Sequence, residues 1–228
     1  MTRALLEETA ELVADLKAAL IDARYGGAST VPLQGTAPQE KGSLAAVQAA
    51  LGDCRMCGLC ESRNRIVFGA GHARADLVIV GEGPGREEDR VGEPFVGAAG
   101  QMLNKMLERV LGLSRDMVYI TNVVKCRPPD NRTPLPAEIA ACKEVLENQL
   151  LAVEPKLILT LGREATQTLL ETSRGIKSMR GQWSRWRDVP VLPTFHPAYL
   201  LRQPRDKSLV FEDLKALRAR YDALGGRR

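Results

Sequence analysis

Apolar positions along the chain fall into two alternating rhythms. Short solid runs, Leu77 to Val80, Val118 to Val124, Leu157 to Leu161 and Val189 to Thr194, have the length and branching of buried strands. Between them, and after the last, apolar residues recur at helical spacing, around Gln101 to Leu111, Pro136 to Leu151, Arg163 to Glu171 and Ser208 to Leu224. Alternation of this kind predicts an α/β fold, a three-layer α/β/α arrangement with a central, mainly parallel four-stranded sheet covered on both faces. Ahead of it, Leu5, Leu12, Leu16 and Leu20 space an apolar stripe among charges and predict an N-terminal helix over residues 3 to 24. The stretch GGASTVPLQGTAPQEKG after Tyr25 reads as a flexible linker. The expected organisation is therefore residues 1–42 as helix and linker and residues 43–228 as one compact domain.

In an open parallel sheet the ligand sits at the carboxyl ends of the strands. Gly81, Asn122, Gly162 and His196 all fall at strand exits. The segment GEGPGREEDRVGEPFVGAAG, residues 81 to 100, follows the first run directly. Its glycines allow sharp turns and close backbone approach, and Phe95 between Pro94 and Gly97 offers a stacking face. Such a segment suits a small planar ligand.

Composition narrows the picture only slightly. Of 228 residues, 44% are hydrophobic, enough for a real core, and 32 basic against 28 acidic residues leave a net charge of +4. That excess is mild support for a polyanionic partner. The basic stretch Arg174, Lys177, Arg180, Arg185 and Arg187, with Trp183 and Trp186, fits either a solvated loop anchored by core tryptophans or a DNA-facing loop. No apolar run approaches the roughly 18 residues of a membrane span, and the acidic, amphipathic N-terminus reads as neither signal nor transit peptide. A cytoplasmic location is expected, and there five cysteines suit metal ligation or free thiols better than disulfides.

Cys54 and Cys57 form a C-x2-C pair, and Cys126 and Cys142 follow far downstream. Four thiolates at such positions suit a tetrahedral zinc or a 4Fe-4S cluster, and spacing does not separate the two. Cys60 extends the first pair toward a ferredoxin-like run that the next residues break.

Four blocks in order, CRMCGLCESRNRIVFGAG, GEGPGREEDRVGEPFVGAAG, TNVVKCRPPDNRTP and FHPAYLLR, make the chain resemble the family 4 uracil-DNA glycosylases, the iron-sulfur branch of their superfamily. The resemblance covers about residues 54 to 220 and implies removal of uracil from DNA, single or double stranded, by cleavage of the N-glycosidic bond. It also implies a 4Fe-4S cluster on Cys54, Cys57, Cys126 and Cys142, with Cys60 a spare thiol nearby. A non-catalytic iron-sulfur DNA-binding module of the same fold is the alternative. The chain is expected to act as a monomer, with no membrane partner and with the N-terminal helix as a docking element for a replication or repair protein.

The chemistry assigns candidate roles. A base inside a duplex has to be flipped into a pocket. Asn122 has an acceptor for uracil N3–H and a donor for O4, and Phe95 is expected to stack on the ring. Cleavage builds negative charge on uracil O2, so His196 in FHPAYLLR is the expected donor there; His72 is left on the surface. Gly83 stands where family 1 relatives keep an aspartate, which leaves Glu82 and Glu88 as catalytic carboxylates, the latter either positioning water or crowding the C5 position against thymine. Asn131 is expected at the pocket rim, Arg132 and Arg202 on phosphates, and Leu200 as an apolar wedge in the minor groove.

Overall fold

The structure is a computed structural model that describes residues 42–227. The expected N-terminal helix and linker lie outside the described residues.

Six strands form one sheet: β1 (Ala70–Gly71), β2 (Leu77–Gly81), β3 (Tyr119–Asn122), β4 (Leu157–Leu161), β5 (Ser184–Trp186) and β6 (Val189–Thr194), in the order β1-β3-β2-β4-β6-β5. The inner four, β3, β2, β4 and β6, are parallel, and they are the four apolar runs of the sequence. The expectation of four strands is corrected by the two edges, which pair antiparallel and are only two and three residues long. Runs that short carry no periodicity. They also leave little open edge for pairing with another chain.

The described helices are α1 (Leu44–Leu51), α2 (Arg86–Val91), α3 (Ala98–Met106), α4 (Pro136–Val153), α5 (Arg163–Leu170), α6 (Ile176–Met179), α7 (Pro197–Arg202) and α8 (Lys207–Ala223). Because strand side chains alternate faces, β2 splits its apolar run between two cores. Leu77 and Ile79 face Leu103 and Met106 of α3 and Leu214 and Leu217 of α8. Val78 and Val80 join Leu146 and Leu150 of α4 and Ala165 and Leu169 of α5. Every residue of β2 and β4 is buried, as expected of strands covered on both faces.

The register brings Gly81 of β2 opposite Asn122 of β3. Beyond it the two exit loops remain zipped, Val123 N–H donating to the Gly81 carbonyl (2.9 Å) and Val124 N–H to that of Glu82 (3.1 Å). This seam is the floor of the site.

Candidate active site

At the carboxyl ends of the strands lies a cavity of about 480 Å3, within the range of small-molecule sites. Its lining brings together Glu82, Gly83, Glu88, Phe95, Asn122, Asn131, Arg132, His196 and Arg202. These are the residues expected from sequence to act on the base and the DNA, with one exception. Leu200 is 1% exposed and packs into the core beneath α7, so the expected wedge is corrected: the outward apolar residue of that helix is Leu201, 45% exposed. On a six-residue helix starting at Pro197, adjacent leucines point in different directions, and only one can face out.

Asn122 ends β3 with its side chain buried, and its Oδ1 has no hydrogen-bond partner among the described residues. Leaving such an acceptor unsatisfied costs about 1–3 kcal/mol, so it is held ready for a donor from outside. Gly81 makes the space: a Cβ there would lie 2.6 Å from the Phe95 ring and would also strike the Asn122 carboxamide.

Phe95 occupies the left-handed region, φ 55°, at a cost of about 1–2 kcal/mol. Two charged side chains hold it there. Glu88 Oε1 accepts from the N–H groups of Val96 and Gly97, both at 2.9 Å, and Oε2 from that of Gly85 at 3.1 Å. On the other side the Arg115 guanidinium donates to the carbonyls of Phe95 (3.1 Å) and Pro94. Gly100 completes the grip, since any Cβ there would overlap the Phe95 carbonyl. Asp89, the next carboxylate on α2, turns the opposite way and accepts from Asn64 N–H (2.8 Å) and Arg65 N–H (3.2 Å). Neighbouring acids thus divide between two loops.

His196 caps α7, and its Nδ1 accepts from Ala198 N–H at 3.1 Å. In the neutral ring the proton therefore sits on Nε2. Burial, reinforced by the Arg202 charge, pushes its pKa down to about 4, against a smaller upward pull from Glu88 and Glu164. The ring is a neutral N–H donor, its centroid 5.5 Å from that of Phe95 and the two planes inclined by 31°.

Burial and the neighbouring Glu164 carboxylate push Glu82 up to about 7, with Arg163 acting the other way. Arg163 Nε donates to Glu164 at 2.7 Å. Glu82 leaves β2 and Glu164 opens α5, so two adjacent parallel strands bring an acid pair together, with Glu82 in the cavity lining. Arg132 is tied by Nη1 (2.9 Å) and Nη2 (2.7 Å) to Glu138, and Asn131 Oδ1 accepts from Arg127 at 2.7 Å. His72 is exposed, as expected. The basic stretch around the tryptophans lies away from the cavity lining: Trp186 is buried under the Arg187 guanidinium, and Arg180 pairs with Asp213.

All five cysteines line one recess, together with apolar side chains and the cations Arg63 and Lys125. Arg63 Nη1 donates to Cys126 Sγ at 3.3 Å and to the Cys54 carbonyl at 2.7 Å, and Nη2 reaches Asp53 at 2.7 Å. Burial pushes the Cys126 thiol up to about 11 and raises that of Cys142, opposed by Arg63 and Lys125 respectively. Among the described residues no three ligand side chains close on one point as a single ion requires. The donor chemistry, thiols alone in an apolar shell with two cations, fits a sulfur-ligated anionic group.

Arg115, Glu164, Arg63 and Lys125 were not singled out from sequence. Arg115 and Glu164 have no local signature. Lys125 had one, a lone charge between Val124 and Cys126 in an apolar run.

The profile of the Uracil DNA glycosylase superfamily matches residues 68–217. A type-4 uracil-DNA glycosylase of Sulfurisphaera tokodaii is 42% identical over 184 residues, which cover 77% of this chain and 84% of that protein. One of Thermotoga maritima is 44% identical over 166 residues, 71% of this chain and 86% of that protein. One of Archaeoglobus fulgidus is 42% identical over 172 residues, with 72% and 86% covered.

Proposed function

The chain belongs to the uracil-DNA glycosylase superfamily, in its type-4 branch, and on that premise we propose that its strand-exit cavity receives a uracil flipped from DNA and hydrolyses the bond to deoxyribose. The observation that carries this reading is the orphaned, buried Asn122 Oδ1, held beside the Phe95 ring. It accepts from uracil N3–H while Nδ2 donates to O4. Cytosine presents an acceptor and a donor at those atoms, so both contacts reverse into repulsion.

As the C1′–N1 bond breaks, its electron pair moves onto the uracil ring and O2. His196 Nε2–H donates to that oxygen. A neutral donor suits the task, because no ammonium-like charge has to be buried beforehand and the hydrogen bond strengthens as the anion forms. Water then adds to C1′, and its proton passes to Glu82, whose raised pKa suits a base working near neutrality. Glu88 has both carboxylate oxygens committed to backbone N–H groups, which favours a wall-and-clamp role over water activation. Arg202 and, at the rim, Arg132 and Asn131 face the DNA backbone, with Leu201 taking the place next to them that had been expected of Leu200.

Cys54, Cys57, Cys126 and Cys142 would hold the 4Fe-4S cluster, with Cys60 a spare thiol on the same recess wall. Bound, the cluster supplies a rigid cross-link between the segment before β1, the exit of β3 and α4. In this reading residues 43–228 form the catalytic domain of a monomeric cytoplasmic repair enzyme, and residues 1–42 a docking extension. No helix among the described residues is long and apolar enough to cross a membrane.

Purified, iron-loaded protein is expected to leave alkali-labile sites at uracil in single- and double-stranded oligonucleotides and to leave thymine and cytosine controls intact. The non-catalytic alternative predicts binding to the same oligonucleotides with no such sites.

A further inference from the structure

Lys125 is 1% exposed, among the most deeply buried charges described, yet it belongs to neither the base cavity nor the expected ligand set. Its Nζ donates to Thr121 Oγ1 at 2.9 Å and to the carbonyl of Asn122. Both acceptors are neutral. A buried ammonium with neutral partners alone is costly, and it calls for a countercharge. Lys125 lines the cysteine recess together with Cys126 and Cys142, whose thiols become anionic when they ligate a metal.

The acceptors it holds lead directly to the base cavity, since Asn122 is both the residue whose carbonyl Lys125 grips and the one whose carboxamide enters the cavity. Thr121 extends the connection the other way. Its Oγ1 contacts Gln149 Oε1 and the Phe68 carbonyl, each at 3.0 Å, and Gln149 Nε2 donates to that carbonyl (2.7 Å) and to Tyr119 (3.0 Å). Gln149 stands on α4, two turns beyond Cys142. A buried polar web therefore runs from the helix bearing one cysteine to the strand end bearing the base reader.

We propose that Lys125 is a positioning residue: its ammonium, balanced by the thiolates of the loaded cysteine recess, fixes the exit of β3 and with it the Asn122 carboxamide, so that loading of the recess is felt in the base cavity. This rests on the roles given above to Asn122 and to the cysteines. A core lysine that merely fills space would lack the coupling.

The test compares wild type with Lys125→Met, both prepared anaerobically, by iron content, visible absorption, single-turnover excision of uracil and hydrogen exchange over residues 119–125. The variant should keep its iron, excise uracil roughly ten- to a hundredfold more slowly and exchange faster in that segment. Chelating iron from wild type should loosen the same segment, and chelating it from the variant should add nothing there. Native iron, rate and exchange in the variant would overturn the proposal, as would equal loosening of both proteins on chelation. If Lys125→Met does not retain iron, Thr121→Val decides: it removes one acceptor of the ammonium and touches no cysteine. With iron intact it should slow excision several-fold and loosen the segment, and native behaviour overturns the proposal. A wild type without iron or without excision would instead sink the functional reading on which the proposal stands.

Discussion

Phe95 lines the cavity with a left-handed backbone that other groups enforce. Glu88 supplies three backbone contacts and Arg115 two. Arg115→Met should therefore lower kcat/KM for uracil about ten- to a hundredfold with iron content unchanged, measured by steady-state excision, and Arg115→Lys should recover part of it. His196 carries a second residue-scale consequence. Its pKa falls from about 6.5 to about 4 on folding, so between those values the unfolded chain binds more protons and stability falls as pH drops. The loss reaches about 3 kcal/mol at most, and melting at pH 7 and pH 5 should show a smaller acid loss in His196→Gln. The sequence made Phe95, Asn122 and His196 visible because each sits in a distinctive block at a strand exit. Arg115 stayed hidden, since its partners are carbonyls twenty residues away in a loop without regular structure.

Adjacent parallel strands put their exit residues side by side, which no single run of sequence reveals. Glu82 after β2 and Glu164 at the head of α5 meet in this way, and burial together with that meeting raises Glu82 to about 7. The expected pH profile of excision rises through about pH 7 as Glu82 ionises. Glu164→Gln removes the second of its two causes and should move that limb to lower pH, and Glu82→Gln should abolish it along with most of the rate. A limb unmoved in Glu164→Gln would detach the pair from the reaction. The four inner strands were legible as solid apolar runs, whereas α2 and α7, six residues each, were too short to establish a helical period. That shortness explains the error at Leu200. Two leucines in sequence gave no face to choose between, and the core beneath the helix took the first.

The molecule as a whole joins two sites through one sheet. The base cavity lies at the strand exits and the cysteine recess behind the exit of β3, bounded by α4 and the segment before β1. That segment is far in sequence from the loop after β3 and from α4, which follows that loop directly, so a group ligated by Cys54, Cys57, Cys126 and Cys142 would close a long loop and stabilise the fold by restricting the unfolded chain. Anaerobic chelation should lower the melting temperature by several degrees or more, read by differential scanning calorimetry; an unchanged melting temperature after complete iron loss would remove the cluster from the stability of the fold. The cysteine spacing alone leaves zinc and iron open, and the thiol-only shell with two cations suits either as a sulfur-ligated anionic group. The central claim is that Asn122 reads uracil in a cavity that then cleaves its bond to the sugar. It is tested most directly by single-turnover excision from a uracil oligonucleotide by iron-loaded wild type and Asn122→Ala. The prediction is rapid excision by wild type and a rate at least about a hundredfold lower in the variant with iron and melting temperature preserved; uracil left intact by wild type, or removed equally well by the variant, would contradict it.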